Sequence, residues 1–198
     1  MQNKLHQIIA ELPRRAVSHK SVTRGTFLFR QQQPAKAIFA VETGRVRLFR
    51  DLPDGSSVTL HVAGENEAFA EASLFASHYH CHALAELDST VISLDAEELL
   101  QVMSERSDLH LAFSRLLAAQ VREMRAMLSL RDIRSADDRL LAWLRLRART
   151  DDLTIEIDRP WTTISEELGL TKEAVYRSLA RLERSGQISR QTGRVQLC

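Results

Sequence analysis

The chain has 198 residues, of which 44% are hydrophobic, and this is enough for one large or two small domains with a buried core. Its 27 Lys and Arg against 26 Asp and Glu give a formal charge of +1, which argues against a protein coated in positive charge. No apolar run long enough to span a membrane occurs and residues 1–4 are polar, so we expect a cytoplasmic protein. Its two cysteines, Cys81 and Cys198, make no disulfide framework.

Residues 26–94 consist of short alternating runs separated by turn signals. Gly44 and Asp54-Gly55 mark two of the turns. The runs lie at residues 37–41, 45–49, 57–62 and 90–94. Short strands at this regular spacing predict an antiparallel sandwich or jelly roll.

Helical patterns follow. Asp95 is expected to cap a short helix through Met103, and a longer helix is predicted from about Ser107 to Arg134, with no Pro or Gly in it. A 4-3-4 spacing relates four of its apolar residues: Leu117, Val121, Met124 and Leu128. Such a helix is roughly 42 Å long, more than a small β domain covers. This favours a self-pairing coiled coil, the alternative being a helix packed only on its own sheet.

After Ser135, which begins a further helix, residues 161–184 predict two short helices joined by a tight turn. Gly169 ends the first helix and Thr171 caps the second. The inward-facing apolar positions are Ile164, Leu168, Val175, Leu179 and Leu182. Such a pair also occurs in all-α proteins, but alternating runs on both sides of Gly193 predict a hairpin after it. Helix pair and hairpin together indicate a winged helix, which binds DNA; Arg190 and Arg194 on the wing are expected to reach phosphates.

This order of elements resembles the catabolite activator and fumarate-nitrate regulator family over nearly the whole chain. The most specific similar pieces are residues 42–50, 69–75 and 168–177. The resemblance implies an α+β fold: an N-terminal antiparallel β-roll of the cyclic-nucleotide-binding jelly-roll type, a long dimerisation helix and a C-terminal winged helix-turn-helix. We place the β-roll sensor domain with its flanking helices at 1–106, the dimerisation helix at 107–134 and the DNA-binding domain at 135–198.

The resemblance also implies roles on the second helix of the pair. There Glu173 and Arg177 would read bases and Thr171 would contact phosphate, while Lys172 replaces the family's usual Arg and cannot form its planar bidentate fork. The full set of expected DNA-binding residues is Thr163, Thr171, Lys172, Glu173, Tyr176, Arg177 and Arg181. The expected partners are double-stranded DNA with a palindromic site, a second copy of the chain and RNA polymerase, and no membrane.

The ligand pocket departs from the family pattern. Members that bind cyclic AMP carry Gly-Glu, Arg-Ser and Thr-Ser pairs, whose places fall here on Ala70-Glu71, Cys81-His82 and Met124-Arg125. A phosphate without a charged partner is costly to bury, so cyclic AMP is not expected. The iron-sulfur cluster that some members hold through N-terminal cysteines is not expected either, because no Cys precedes Cys81. The candidates for an effector pocket are His61, Glu71, Cys81, His82 and Met124.

Three histidines and a cysteine crowd one short segment: His78, His80, Cys81 and His82. On a strand the three histidines would share one face and Cys81 the other. With His61 and Met124 they offer ligands that suit heme, zinc or copper, so a metal, a heme-bound gas or a redox signal is one hypothesis for the sensor. The alternative is a set of surface and core histidines beside a small buried Cys81, in a regulator without an effector.

Two other functions compete with a regulator. A cupin-type enzyme would use a metal held by the same three histidines and Glu71, but that leaves the winged helix unexplained, so we predict that the chain is not an enzyme. A dimeric structural scaffold is the third hypothesis, which differs from the first in binding no DNA.

Overall fold

The computed structural model describes residues 8–149, 151–157 and 159–198. The chain divides into two compact units, residues 1–120 and 121–198. The domain boundaries predicted at 106/107 and 134/135 follow the ends of elements and stay a prediction. The polar N-terminal stretch at residues 1–4 lies outside the described residues. A membrane-spanning helix is not found in the part of the chain that the structure describes.

The first unit is built on two antiparallel sheets. In the described residues its strands are β1 (Val17–Val22), β2 (Phe27–Phe29), β3 (Ala37–Thr43), β4 (Val46–Asp51), β5 (Ser57–Ala63), β6 (Ala68–Phe69), β7 (His82–Ala85) and β8 (Ser89–Asp95). One sheet has the order β1-β8-β3-β6 and the other β2-β7-β4-β5. The paired strands within both sheets are antiparallel, which confirms the predicted β-roll.

Strand β3 shows why the sequence folds in this way. Ile38 and Ala40 belong to the core that the first sheet shares with the helices, whereas Phe39 and Val41 belong to the core of the roll. A strand buried on both faces is apolar at consecutive positions, as this one is. The turn after it needs a glycine: Gly44 has φ +91°, and a Cβ there would lie 2.7 Å from the Asp88 carbonyl oxygen.

Two helices follow strand β8 along the chain. Helix α1 (Ala96–Glu105) is capped by Asp95, whose carboxylate accepts from the Glu98 amide at 3.0 Å, as predicted. Helix α2 (Ser107–Arg131) is the predicted long helix, but it ends three residues before Arg134. It ends there because Ser135 caps the next helix, accepting from the Asp138 amide at 3.3 Å, so the intervening residues form a linker.

The second unit has the predicted winged-helix order with one additional strand. Its elements after α2 are α3 (Ala136–Arg147), β9 (Thr154–Glu156), α4 (Trp161–Leu168), α5 (Lys172–Arg184), β10 (Ile188–Gln191) and β11 (Arg194–Leu197). The strands pair in the order β10-β11-β9, so the predicted hairpin gains a third strand. Leu130, near the end of α2, is buried in the same core as Leu140, Leu168 and Leu179. The last part of the long helix is therefore packed as part of this unit.

Candidate nucleic-acid interface and effector region

The turn between α4 and α5 has the geometry that the sequence predicts. Gly169 adopts φ 61°, and its amide donates to the Glu166 carbonyl at 3.1 Å, while the Leu170 amide donates to the Ser165 carbonyl at 2.9 Å. The Thr171 hydroxyl then accepts from the Ala174 amide at 3.2 Å and starts α5. These bonds complete the ends of both helices and fix where α5 begins.

Helix α5 separates an apolar face from a charged one. Its buried residues are Val175, Ser178, Leu179 and Leu182, and its exposed residues include Lys172, Glu173, Tyr176 and Arg177. The Lys172 ammonium lies 5.9 Å from the centre of the Tyr176 ring, within cation–π range. Thr163, on α4, is half-buried. The structure therefore exposes, in the first turns of α5, the side chains that the sequence assigned to reading DNA.

Arg181 differs from these residues. Its guanidinium makes two hydrogen bonds of 2.6 Å to the carboxylate of Asp137 on α3. These bonds hold the pKa of Asp137 below its usual range. The pair joins residues far apart in sequence, so no periodic pattern in the sequence predicted it. The structure therefore pairs Arg181, which the sequence predicted to bind DNA, with a carboxylate on the neighbouring helix α3.

The arginines of the wing are also paired. The Arg190 Nε donates to Glu183 Oε2 at 2.9 Å, which ties β10 to the end of α5. The Arg194 Nη2 lies 3.5 Å from Glu156 Oε1 on β9. Both pairs are partly exposed, and exposed ion pairs contribute about 0–1 kcal/mol. Both arginines therefore lose little on exchanging these partners for phosphate oxygens.

In the first unit, Glu71 is the most unusual of the effector candidates. It opens a short 3-10 turn, after Ala70 in the left-handed region at φ 64°. Burial raises the pKa of its carboxyl group, against the opposing effects of its own backbone amide, nearby His61 and the side chain of Gln120 on α2. Its Oε2 atom is buried and accepts no hydrogen bond from the residues that the structure describes.

Cys81 lies in the core of the roll, 1% exposed. Burial raises the pKa of its thiol to about 11, although Arg50 acts in the opposite direction. The Arg50 Nε donates to the carbonyl of His80 at 2.8 Å. Burial and Arg50 also lower the pKa of His80, whose Nδ1 lies 3.4 Å from Ser73 Oγ. Burial thus favours the neutral thiol of Cys81, and sequence reasoning missed Arg50, whose charge acts on that thiol.

His82 has both ring nitrogens engaged. Its Nδ1 accepts from the Gln31 amide at 3.3 Å, and its Nε2 lies 3.3 Å from Asp51 Oδ2. The ring stacks on Phe49 with centroids 5.1 Å apart. His78, which is exposed, has its Nδ1 2.8 Å from Ser77 Oγ. These contacts fix the orientation of the His82 ring within the roll.

The proposed grouping of metal ligands is not assembled. Only His82 lies in a strand, β7, so the alternation of faces assumed for residues 78–82 does not apply. His61 is 3.7 Å from Glu67, and Met124 is 58% exposed in the unit that starts at Val121. Over residues 8–149, 151–157 and 159–198, no three His, Cys, Asp or Glu side chains come close enough to hold a metal ion.

An antiparallel β-roll, a long helix and a winged helix-turn-helix follow one another along the chain, and this is the arrangement of a class of DNA-binding regulators. The family model of the cyclic nucleotide-binding domain matches residues 19–106. The global nitrogen regulator of Nostoc sp. is 26% identical over 175 residues, covering 84% of this chain and 78% of that protein. The transcriptional activator protein anr of Pseudomonas aeruginosa is 26% identical over 178 residues, covering 86% and 72%.

Solved structures agree on the fold. FixK2 from Bradyrhizobium japonicum superposes with a TM-score of 0.75 at 19% identity, covering 91% of this chain and 92% of that one. In fold and in sequence the chain is therefore similar to transcription regulators of the catabolite activator and fumarate-nitrate regulator (CRP/FNR) family.

Proposed function

We propose that the protein is a homodimeric transcription regulator, without enzymatic activity, that binds a palindromic site on double-stranded DNA. The observation that carries this proposal is that one compact unit, residues 121–198, contains both the exposed charged start of α5 and an exposed apolar stripe on α2. The stripe consists of Val121, Met124 and Leu128, which are 40%, 58% and 60% exposed. Through the stripe two copies would pair, and through α5 each copy would enter the major groove.

The pairing of copies rests on the spacing of the stripe. Val121, Met124 and Leu128 are separated by three and four residues, the spacing of a coiled-coil seam. Leu130, on another face of the same helix, is buried within the unit. Because a different face of α2 already packs into the core of the unit, a second copy of the chain is the partner that buries the stripe. Two recognition helices related by this symmetry would lie about 34 Å apart and contact successive major grooves.

The reading of bases rests on the exposed face of α5. Arg177 would pair with a guanine and Glu173 would accept from a cytosine, while Thr171 and Thr163 would contact phosphates. Lys172 carries a compact ammonium and would contact a guanine with less geometric restriction than an arginine. Tyr176 would pack beside it. A regulator bound in this way next to a promoter would contact RNA polymerase.

For the sensor, we propose that the roll does not bind cyclic AMP by the contacts that the family uses, and that residues 78–82 hold no metal or heme. At the place of the phosphate-binding Arg stands Cys81, buried in the core, and the next residue, His82, has both nitrogens engaged. Burial, which raises the pKa of Cys81 to about 11, disfavours the thiolate that a redox switch would need. Purified protein should contain no stoichiometric metal and show no Soret band, and one metal ion per chain would overturn this part of the proposal.

The DNA-binding proposal is tested by selecting bound sequences from random duplexes and titrating the selected site. Arg177→Ala should weaken binding to that site by about 1–3 kcal/mol and relax the preference at one base position in each half. The matched control is Arg184→Ala, which removes an exposed arginine from the last turn of the same helix. Equal weakening on every sequence would show that Arg177 contacts phosphate only, and no selected site at all would overturn the proposed function.

A further inference from the structure

One arginine of α3 contacts two separate parts of the second unit. The Arg139 guanidinium donates from Nε and Nη2 to the carbonyl of Ile133, at 2.9 and 2.6 Å, in the linker that follows α2. From Nη1 it donates to the carbonyl of Leu168, at 3.0 Å, and more distantly to that of Gly169. A single side chain thus joins the end of the long helix to the turn between α4 and α5.

The chemistry of this contact requires an arginine. The last carbonyls of a helix have no partner within the helix and carry the negative end of its dipole, so the end of α4 attracts a cation. Arginine presents its donors in a rigid plane and can satisfy carbonyls on two sides, which a lysine ammonium cannot do in the same geometry. The guanidinium passes beside Gly169, where a Cβ would lie at ordinary van der Waals distance, 4.0 Å, from Arg139 Nη1.

The same turn of α3 also holds α5. Asp137, two residues before Arg139, accepts both hydrogen bonds from Arg181. Ser135 caps this turn through the Asp138 amide, so its backbone is fixed as well. The first turn of α3 is therefore linked to the linker and α4 by Arg139 and to the recognition helix by Asp137.

Both links lie in the unit that also contains the exposed stripe of α2. We propose that Arg139 and the Asp137–Arg181 pair are positioning residues that fix α5 relative to the end of α2, and so determine which half-site spacing a dimer accepts. The proposal rests on the proposed function, because spacing has a meaning only for two paired copies on DNA. Arg181 acts in it through Asp137 and not through a base.

The test measures binding to palindromes with the spacing found by selection and with spacings one base pair shorter and longer. One base pair shifts the half-sites by about 3.4 Å and about a tenth of a turn. The natural chain should prefer its own spacing by about tenfold or more, whereas Arg139→Gln should prefer it by about threefold or less. Arg139→Lys should fall between them. The ratio between spacings does not depend on the fraction of active protein in a preparation.

The control is Arg145→Gln, which removes an exposed arginine from the same helix and should keep the full preference. If Arg139→Gln fails to fold, as judged by thermal unfolding, Arg181→Gln replaces it, because it breaks the other link of the same turn. A variant that weakens binding equally at all three spacings, or keeps the natural preference, would show that these residues only stabilise the fold and would overturn the inference. If the natural chain selects no palindrome, the proposed function fails instead.

Discussion

The start of α5 and the segment of residues 78–82 are both rich in polar and ionisable side chains, yet the structure treats them in opposite ways. On α5 the apolar residues fill the core, so Lys172, Glu173 and Arg177 are left exposed. In the segment, His82 is held by Gln31 and Asp51, and Cys81 is buried. A high density of reactive residue types therefore predicts a site only where the fold leaves those side chains exposed and does not bury them or use them in internal contacts.

A substitution in the apolar stripe of α2 should have the largest effect on DNA binding. Leu128→Glu places a charge in the proposed seam, and desolvating it on pairing is costly. We expect the chain to become monomeric and to lose about 100-fold or more in affinity for the palindrome, since two half-sites then bind independently. Sedimentation and DNA titration measure this.

The control for the stripe is Arg122→Glu, which reverses a charge on an exposed residue one position after Val121. It should leave the chain dimeric. A Leu128→Glu chain that remains dimeric would show that another surface pairs the two copies.

A second test measures how accessible Cys81 is within residues 78–82. In the native protein at pH 8, a thiol reagent should modify one cysteine per chain, the exposed Cys198, and leave Cys81 unmodified, because burial blocks access and raises its pKa to about 11. In denaturant both should react, and Cys198→Ser should abolish native labelling. Rapid native labelling of Cys81 would restore the redox hypothesis.

The smallest effect concerns Glu71. Its folded-state pKa lies above the ordinary value of 4.5, so the folded state favours the protonated form. Stability is then greatest below that ordinary value and falls as the pH rises through the folded pKa. Glu71→Gln should therefore raise the thermal midpoint at pH 7, and the gain should disappear near pH 4. A gain independent of pH would mean that burial of the charge is not the cause.

The parts of the fold that could be predicted are those with a local pattern. Strands β3, β4, β5 and β8, the cap at Asp95 and the end of α4 at Gly169 all appear where periodicity and turn residues place them. The strands β2 and β6 have three and two residues, too few for an alternation, and β1 has mostly exposed polar residues. Such strands form because neighbouring strands supply their hydrogen bonds.

The candidate site divides in the same manner. The exposed face of α5 follows from helical spacing, so its residues could be assigned from the sequence. The Asp137–Arg181 pair and the contacts of Arg139 join positions far apart along the chain, and no spacing rule relates them. Likewise, Arg50 reaches the carbonyl of His80 only because β4 and β7 are neighbours in the sheet. Contacts of this kind depend on the tertiary fold and have no local signal.

The most direct measurement of the central claim is the symmetry of the selected DNA. We predict that the natural chain enriches two inverted half-sites with centres about one helical turn apart, and that two chains bind each duplex. A single asymmetric half-site bound by one chain, or no enriched sequence at moderate salt, would contradict a two-fold reader built on α5 and the stripe of α2.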